Sequence, residues 1–211
     1  MKIGILDLIL RINGFLKLPM MTPIERRVYK DLLRALSAPG PLQIFEFGSG
    51  FSTVYFAGFL KSNGIAFHIH SIDNNRQWHL DVHKMVEQAG LKNHVTLQLS
   101  AFDSRGIVPP QTPQEMGYIH APHMLNTRFD LIVVDGRFRR RCLEGVRPLL
   151  KEDGVVFLHD AEREFYHPPM GLYKHARFID GGNFYPFEPR PHKIWIAAVT
   201  DKGWERIKHV A

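Results

Sequence analysis

Four acids and a histidine stand at the ends of apolar runs, and their neighbours suggest what they bind. The segment Ile44-Phe45-Glu46-Phe47-Gly48-Ser49-Gly50-Phe51-Ser52-Thr53 passes from a short strand through an acid and two glycines to a hydroxyl pair opening a helix. Such a turn suits a cofactor, because glycines let the backbone approach a ligand closely and the helix start offers free N–H groups. Glu46 at the strand end would repel a pyrophosphate and attract a cationic amino group. A defective dinucleotide fingerprint, with Thr53 in the third glycine's place, and a purely structural glycine turn are the alternatives. A second run ends in Ser71-Ile72-Asp73, which puts an acid 23 residues beyond Gly50. Open α/β sheets bind ligands at that carboxyl edge, so Asp73 is expected to accept ribose hydroxyls, a role that also fits NAD, or to cap a helix. The run Phe129-Asp130-Leu131-Ile132-Val133-Val134 ends in Asp135-Gly136 at the same edge. A fifth run ends in His159-Asp160, where a histidine can take a proton near neutral pH and a carboxylate can orient it. Adjacent strand residues point to opposite faces, so only one of this pair is expected to face a reacting group.

The elements that must position these residues alternate as in a doubly wound sheet. Apolar runs at 42–47, 67–72, 95–99, 129–134, 154–159 and 193–199 are separated by helical patterns at 52–62, 76–89 and 139–150. The expected fold class is α/β, a Rossmann-like, doubly wound, mostly parallel sheet whose last strand pairs antiparallel at the edge. Thr22-Pro23-Ile24-Glu25 gives an N-cap, a proline at the first helical position and an acid in the first turn of a helix reaching about Leu36. The interval from Ala101 to Arg128 holds four prolines and is expected to form a substrate-facing loop or lid. Residues 1–37 are expected to be a helical extension and 38–211 the catalytic domain.

The acid-x-Gly-x-Gly pattern at Glu46, Gly48 and Gly50 resembles the first motif of class I S-adenosylmethionine-dependent methyltransferases. F-D-L-I-V-V-D-G, a helix ending R-P-L-L, and K-E-D-G-V-V-F-L-H-D-A resemble the fourth and fifth strand motifs of members that act on oxygen. The resemblance spans roughly residues 42–161, with Glu46, Gly48, Ser52, Asp73 and Asp135 matching residue by residue. It implies S-adenosylmethionine held by Glu46, Gly48, Ser49, Gly50, Ser52, Thr53, Asp73, Asn74, Ala101, Phe102 and Asp135, with Phe102 offering an apolar face to the adenine or, alternatively, packing into the fold. His159-Asp160-Ala161-Glu162-Arg163 resembles the H-D-x-x-R segment of plant glucuronoxylan methyltransferases, which methylate a hydroxyl of a sugar acid. Catechol-type relatives hold a divalent cation through an acid after the fourth strand and an Asp-Asn pair after the fifth. Here Asp135 and Asp160 are the candidate ligands for an ion such as magnesium, but Ala161 stands where the asparagine would be. The alternative is that Asp135 anchors the methionine end of the cofactor and Asp160 caps a turn.

Methyl transfer to oxygen needs an in-line approach and a base for an unactivated hydroxyl; Asp135, His159 and Asp160 are the expected catalytic residues, with His159 preferred over Asp160 as the base and a structural histidine as the alternative. Arg137, Arg139, Arg140 and Arg141 form a basic cluster at the mouth of the site, suited to an anionic acceptor or simply a solvated helix face. Glu162, Arg163, Tyr166, His167, Arg190 and His192 lie in later segments that can also line a pocket, whereas His120 and His123 join no zinc pattern.

With 211 residues, 45% hydrophobic and 23% charged, the chain suits one globular α/β unit with a full core. A net charge of +6 favours an anionic partner, be it substrate, membrane surface or nucleic acid. Its single cysteine, Cys142, excludes an internal disulfide and a cysteine-rich zinc site. Residues 1–21 read as an amphipathic helix, with Asp7 and Arg11 interrupting what would be a signal-peptide core. That helix is expected to cover the domain, a partner subunit or a membrane surface, and the location to be cytoplasmic, peripheral to a membrane if the helix docks there. A polar small-molecule acceptor is the leading expectation. Nucleic-acid methylation is the runner-up, although V-D-G-R stands where an N-P-P-Y type tetrapeptide would hold a flipped base. A non-catalytic cofactor-binding docking module is the third reading.

Overall fold

The computed structural model describes residues 21–37, 40–182 and 192–210. The expected helix over 1–21 lies outside them except for Met21, as does Arg190. Helix α1, Pro23–Leu36, starts as the sequence requires: Thr22 caps it, accepting from the Glu25 N–H at 3.0 Å while Glu25 Oε2 accepts from the Thr22 N–H at 2.6 Å. This reciprocal capping box satisfies two N–H groups that a helix start otherwise leaves open. Strand β1, Leu42–Phe47, leads through the glycine turn into α2, Phe51–Ser62; β2, Phe67–Asp73, α3, Arg76–Gln88, and β3, Val95–Leu99, complete the first half.

The long interval after β3 is not structureless. It contains α4, Pro113–His120, capped by Thr112 and Glu115, and a 3-10 turn over Ala121–Leu125. Then come β4, Phe129–Val134, α5, Arg139–Val146, and β5, Leu150–Leu158. The chain closes with β6, His175–Gly182, β7, His192–Ala198, and α6, Asp201–Ile207.

Among the described residues seven strands form one sheet in the order β3-β2-β1-β4-β5-β7-β6. The first five pair parallel, and β7 runs antiparallel to both β5 and β6. The last strand therefore does not sit at the edge. The edge strand is β6, which the sequence hides because exposed Ala176, Phe178 and Asp180 alternate with half-buried His175, Arg177 and Ile179 ahead of the Gly181-Gly182 end, leaving no continuous apolar run. The order reverses between β1 and β4, whose carboxyl ends open a crevice.

The apolar side chains divide into a layer on each face of the sheet. Val28, Leu32, Leu33 and Leu36 of α1 join Ile44, Phe56, Leu131, Phe157 and Ile196 in one of them, with Tyr29 stacked on Phe157 at 4.4 Å between ring centroids. Thus residues 23–36 share the core of the sheet. The opposite layer gathers Phe45, Phe47, Tyr118, Phe129, Phe138, Cys142 and Trp195. No helix among the described residues is long and apolar enough to cross a membrane.

Candidate active site

The carboxyl ends of β1, β2, β4 and β5 surround a cleft of about 720 Å³. Its floor depends on two glycines in backbone contact. Gly48 has φ +91°, and a Cβ there would come within 2.8 Å of the Gly136 backbone; a Cβ on Gly136 would come within 2.8 Å of Gly48 N and collide with the Tyr118 hydroxyl. The strand ends are tied by Gly48 N–H to Ile72 O at 2.8 Å and Asp135 N–H to Phe47 O at 2.9 Å. The end of β1 is thereby clamped between the ends of β2 and β4.

Glu46 lies beneath that floor. It is fully buried, does not line the cleft, and its carboxylate accepts from the hydroxyls of Ser52, Thr53 and Ser71. Burial pushes its carboxyl up to about 7, against the downward pull of the three hydroxyls. The expectation that it meets a cationic amino group directly is corrected: Glu46 organises the turn, because the hydroxyls following the glycines turn inward onto it. Thr53 is buried with it, and its hydroxyl accepts from the Gly50 N–H at 2.9 Å.

Gly48, Ser49, Ser52, Asp73 and Asn74 line the cleft. Burial raises the Asp73 carboxyl to about 6, although it accepts from the Asn75 N–H at 2.7 Å. Ala101 and Phe102 do not line it. Phe102 packs edge-on against Tyr118, at 5.4 Å between centroids, and against Phe138, so its ring belongs to the core. Trp78, which belongs to no motif, lines the cleft, packs on Phe51 and donates its indole N–H to Ser49 O at 2.6 Å.

Asp135, His159 and Asp160 all face the other end of the cleft. The strand rule fails for His159 and Asp160 because β5 ends at Leu158 and Asp160 adopts φ +52°, a left-handed turn that brings both side chains to one side. Arg139 bridges the acids: it reaches Asp135 Oδ1 and Asp160 Oδ2 at 3.0 Å each, and donates to the carbonyls of Asp135, Gly136 and His159. The two carboxylates expected to hold a divalent cation therefore hold a guanidinium, and a catechol-type ion does not fit between them. Nor do the four arginines form one acceptor patch. Arg139 is enclosed, Arg140 and Arg141 pair with Glu144 on their own helix, and Arg137 lines the cleft near Asp73.

Glu25 enters this end from α1. Its buried Oε1 lies 2.6 Å from His159 Nε2 and 2.9 Å from His192 Nε2, while His159 Nδ1 lies 3.0 Å from Asp135 Oδ1. Burial alone would lower the pKa of His159, but Asp135, Asp160 and Glu25 outweigh it and raise it well above the usual value. Burial likewise favours protonated Glu25 and Asp160, yet hydrogen bonds from the two histidines prevail, holding Glu25 near 2 and Asp160 well below the usual carboxylate range. His159 is thus not a free neutral base here. Of the later residues, Glu162, Arg163 and His192 line the cleft, whereas Tyr166 lies under Arg139 and His167 binds Ala161 O. Glu25 carried only the signal of a capping acid, and nothing local told that its second oxygen meets two histidines.

A family model described as a methyltransferase domain matches residues 45–161, more than half of the chain. The chain belongs to the methyltransferase-domain family. It has the class I, Rossmann-like fold of S-adenosylmethionine-dependent methyltransferases and is an enzyme of that class. Similar solved structures agree on the fold. A putative caffeoyl-CoA O-methyltransferase from Staphylococcus aureus matches this methyltransferase with a TM-score of 0.65 at 13% identity, over 93% of each chain. An O-methyltransferase from Bacillus cereus in complex with SAH gives 0.65 at 14% identity, over 92% of this chain and 90% of the other. The O-methyltransferase TomG from Streptomyces achromogenes, in complex with SAM, gives 0.62 at 15% identity, over 92% and 89%. No curated protein sequence matches the chain.

Proposed function

We propose that the cleft binds S-adenosylmethionine between the Gly48 turn and Asp73, and that the enzyme methylates a hydroxyl of a saccharide or another polar small molecule presented at the end formed by Asp135, His159 and His192. The supporting observation is a polar group in waiting. Ser49 Oγ is buried in the cleft wall with no hydrogen-bond partner among the described residues, as suits a group that binds a ligand's polar end. Asp73, one strand away, accepts the ribose hydroxyls, and the Trp78 ring closes that end with an apolar face.

When bound, the cofactor supplies an electrophilic methyl group. The chain's own part is to position and to move a proton. Asp135 faces the cleft beside the acceptor end and receives the hydroxyl's proton, while His159 at 3.0 Å and Arg139 at 3.0 Å fix its carboxylate. Arg163, half exposed at the rim beside Asp160 and Glu162, is the cleft cation suited to a carboxylate on the acceptor. The short H-D-x-x-R likeness supports beginning the acceptor search with sugar acids.

Calorimetric titration with S-adenosylhomocysteine, and separately with NAD, tests the reading. Micromolar binding of the first alone is expected, and Asp73→Ala should weaken it by about 1 to 3 kcal/mol through lost ribose bonds. Binding of NAD alone, or an Asp73→Ala variant with undiminished affinity, would show the site to be misplaced.

A further inference from the structure

The acceptor end contains a convergence that methyl transfer itself does not require. Glu25 Oε1 and the Nε2 atoms of His159 and His192 come from α1, the end of β5 and the start of β7, and point at one spot. These donor atoms lie within 4.8 Å of one another, with Glu25 and His192 buried. Each imidazole also has a carboxylate on its far side: Asp135 Oδ1 lies 3.0 Å from His159 Nδ1, and Asp160 Oδ1 lies 3.5 Å from His192 Nδ1. A carboxylate at Nδ1 favours the Nδ1–H tautomer and turns the Nε2 lone pair the other way, an arrangement found behind metal-binding histidines. Each Nε2 now shares a proton with Glu25 Oε1; without those protons two lone pairs and a carboxylate oxygen converge on one spot, the donor set of a cation site.

Charge around the cluster agrees. Among the described residues the carboxylates of Glu25, Asp135, Asp160 and Glu162 meet the guanidinium groups of Arg139 and Arg163 and the imidazoles of His159 and His192, so a divalent ion that displaces two imidazole protons leaves the charge of the set unchanged. We propose that Glu25, His159 and His192 form a binding site for a divalent transition-metal ion, distinct from the Asp135–Asp160 pair that Arg139 occupies. Two imidazoles with one carboxylate suit zinc, cobalt or iron and disfavour magnesium, which takes oxygen ligands. Donors around such an ion stand about 3.3 Å apart, so the present separations of 2.6 and 2.9 Å need to open by about half an ångström. Orientation of acceptor hydroxyls by the ion rests on the proposed reaction; its binding does not.

The test uses the full chain, stripped with chelator and equilibrated with cobalt chloride, with bound metal counted by mass spectrometry and its ligand field read by visible absorption. One equivalent is expected, with bands of an imidazole-ligated ion that excess magnesium does not remove. His192→Ala should weaken retention at least about tenfold, and cobalt should raise the melting temperature of the parent but not of His192→Ala. His120→Ala, outside the cleft, should leave both unchanged. Because Glu25 also caps α1, His192→Ala carries the result if Glu25→Gln does not fold. No retained cobalt, or equal retention by His192→Ala, overturns the site. S-adenosylhomocysteine titration of the same samples separates the two readings, since cofactor binding without metal removes only the metal site.

Discussion

Glu46 shows how one side chain can match a motif and yet act from behind it. Its three hydroxyl partners and full burial make it part of the turn's support, and its proton follows the environment. The unfolded chain loses this proton near the ordinary value of 4.5, whereas the folded chain keeps it to about 7. The folded state therefore binds the extra proton between these values, so the contribution is full below pH 4.5 and is lost as pH rises through 7. For a shift of this size the loss is on the order of 3 kcal/mol. Glu46→Gln should flatten that part of the stability profile, and urea denaturation of parent and variant at pH 5 and pH 8 measures it; an equal fall in both would place the pH dependence elsewhere. At this scale the sequence was legible where an acid ended an apolar strand, which is why Asp73 and Asp135 stand at the cleft. It was silent on Trp78 and on the second use of Glu25, because those roles depend on partners far along the chain.

Local backbone geometry decides what each element can present. The contact between Gly48 and Gly136 leaves no room for a methyl group on either. Gly48→Ala adds the strain of a side chain at φ +91°, so it should cost at least about 2 kcal/mol and abolish S-adenosylhomocysteine binding, whereas Gly64→Ala, in open space at a surface turn, tests the positive φ alone. Thermal melts and calorimetry check both, and retained cofactor binding in Gly48→Ala would refute the shared floor. The core helices and strands were readable because hydrophobic period and turn residues agree there. Asp160 was not, since a left-handed residue right after β5 breaks the alternation on which the facing rule depends. Phe102 stayed open between two readings for a related reason: a loop aromatic next to the third strand has two places to go, and here it packs on Tyr118 and Phe138.

Across the whole molecule, the parallel half of the sheet follows from its buried strands, while the antiparallel corner escaped because β6 alternates exposed and half-buried side chains ahead of a two-glycine end. The first described helix is bound into that same body. Leu32 is completely buried among residues of α1, the sheet and α2, so Leu32→Ala should destabilise the fold by about 2 to 5 kcal/mol, as a core truncation does. A detachable helix would show less than about 1 kcal/mol, or an early separate transition; denaturation followed by circular dichroism and by tryptophan fluorescence distinguishes these outcomes.

Glu25 and His192 are joined in one hydrogen bond across 167 positions of sequence. During synthesis the ribosome delivers α1 long before β7, so a nascent chain acquires the glycine turn, Asp73 and Asp135 before the end of the cleft at Glu25 and His192 can close. Until β7 emerges, the growing chain has the proposed seat of the methyl donor but only part of the proposed chamber for the acceptor.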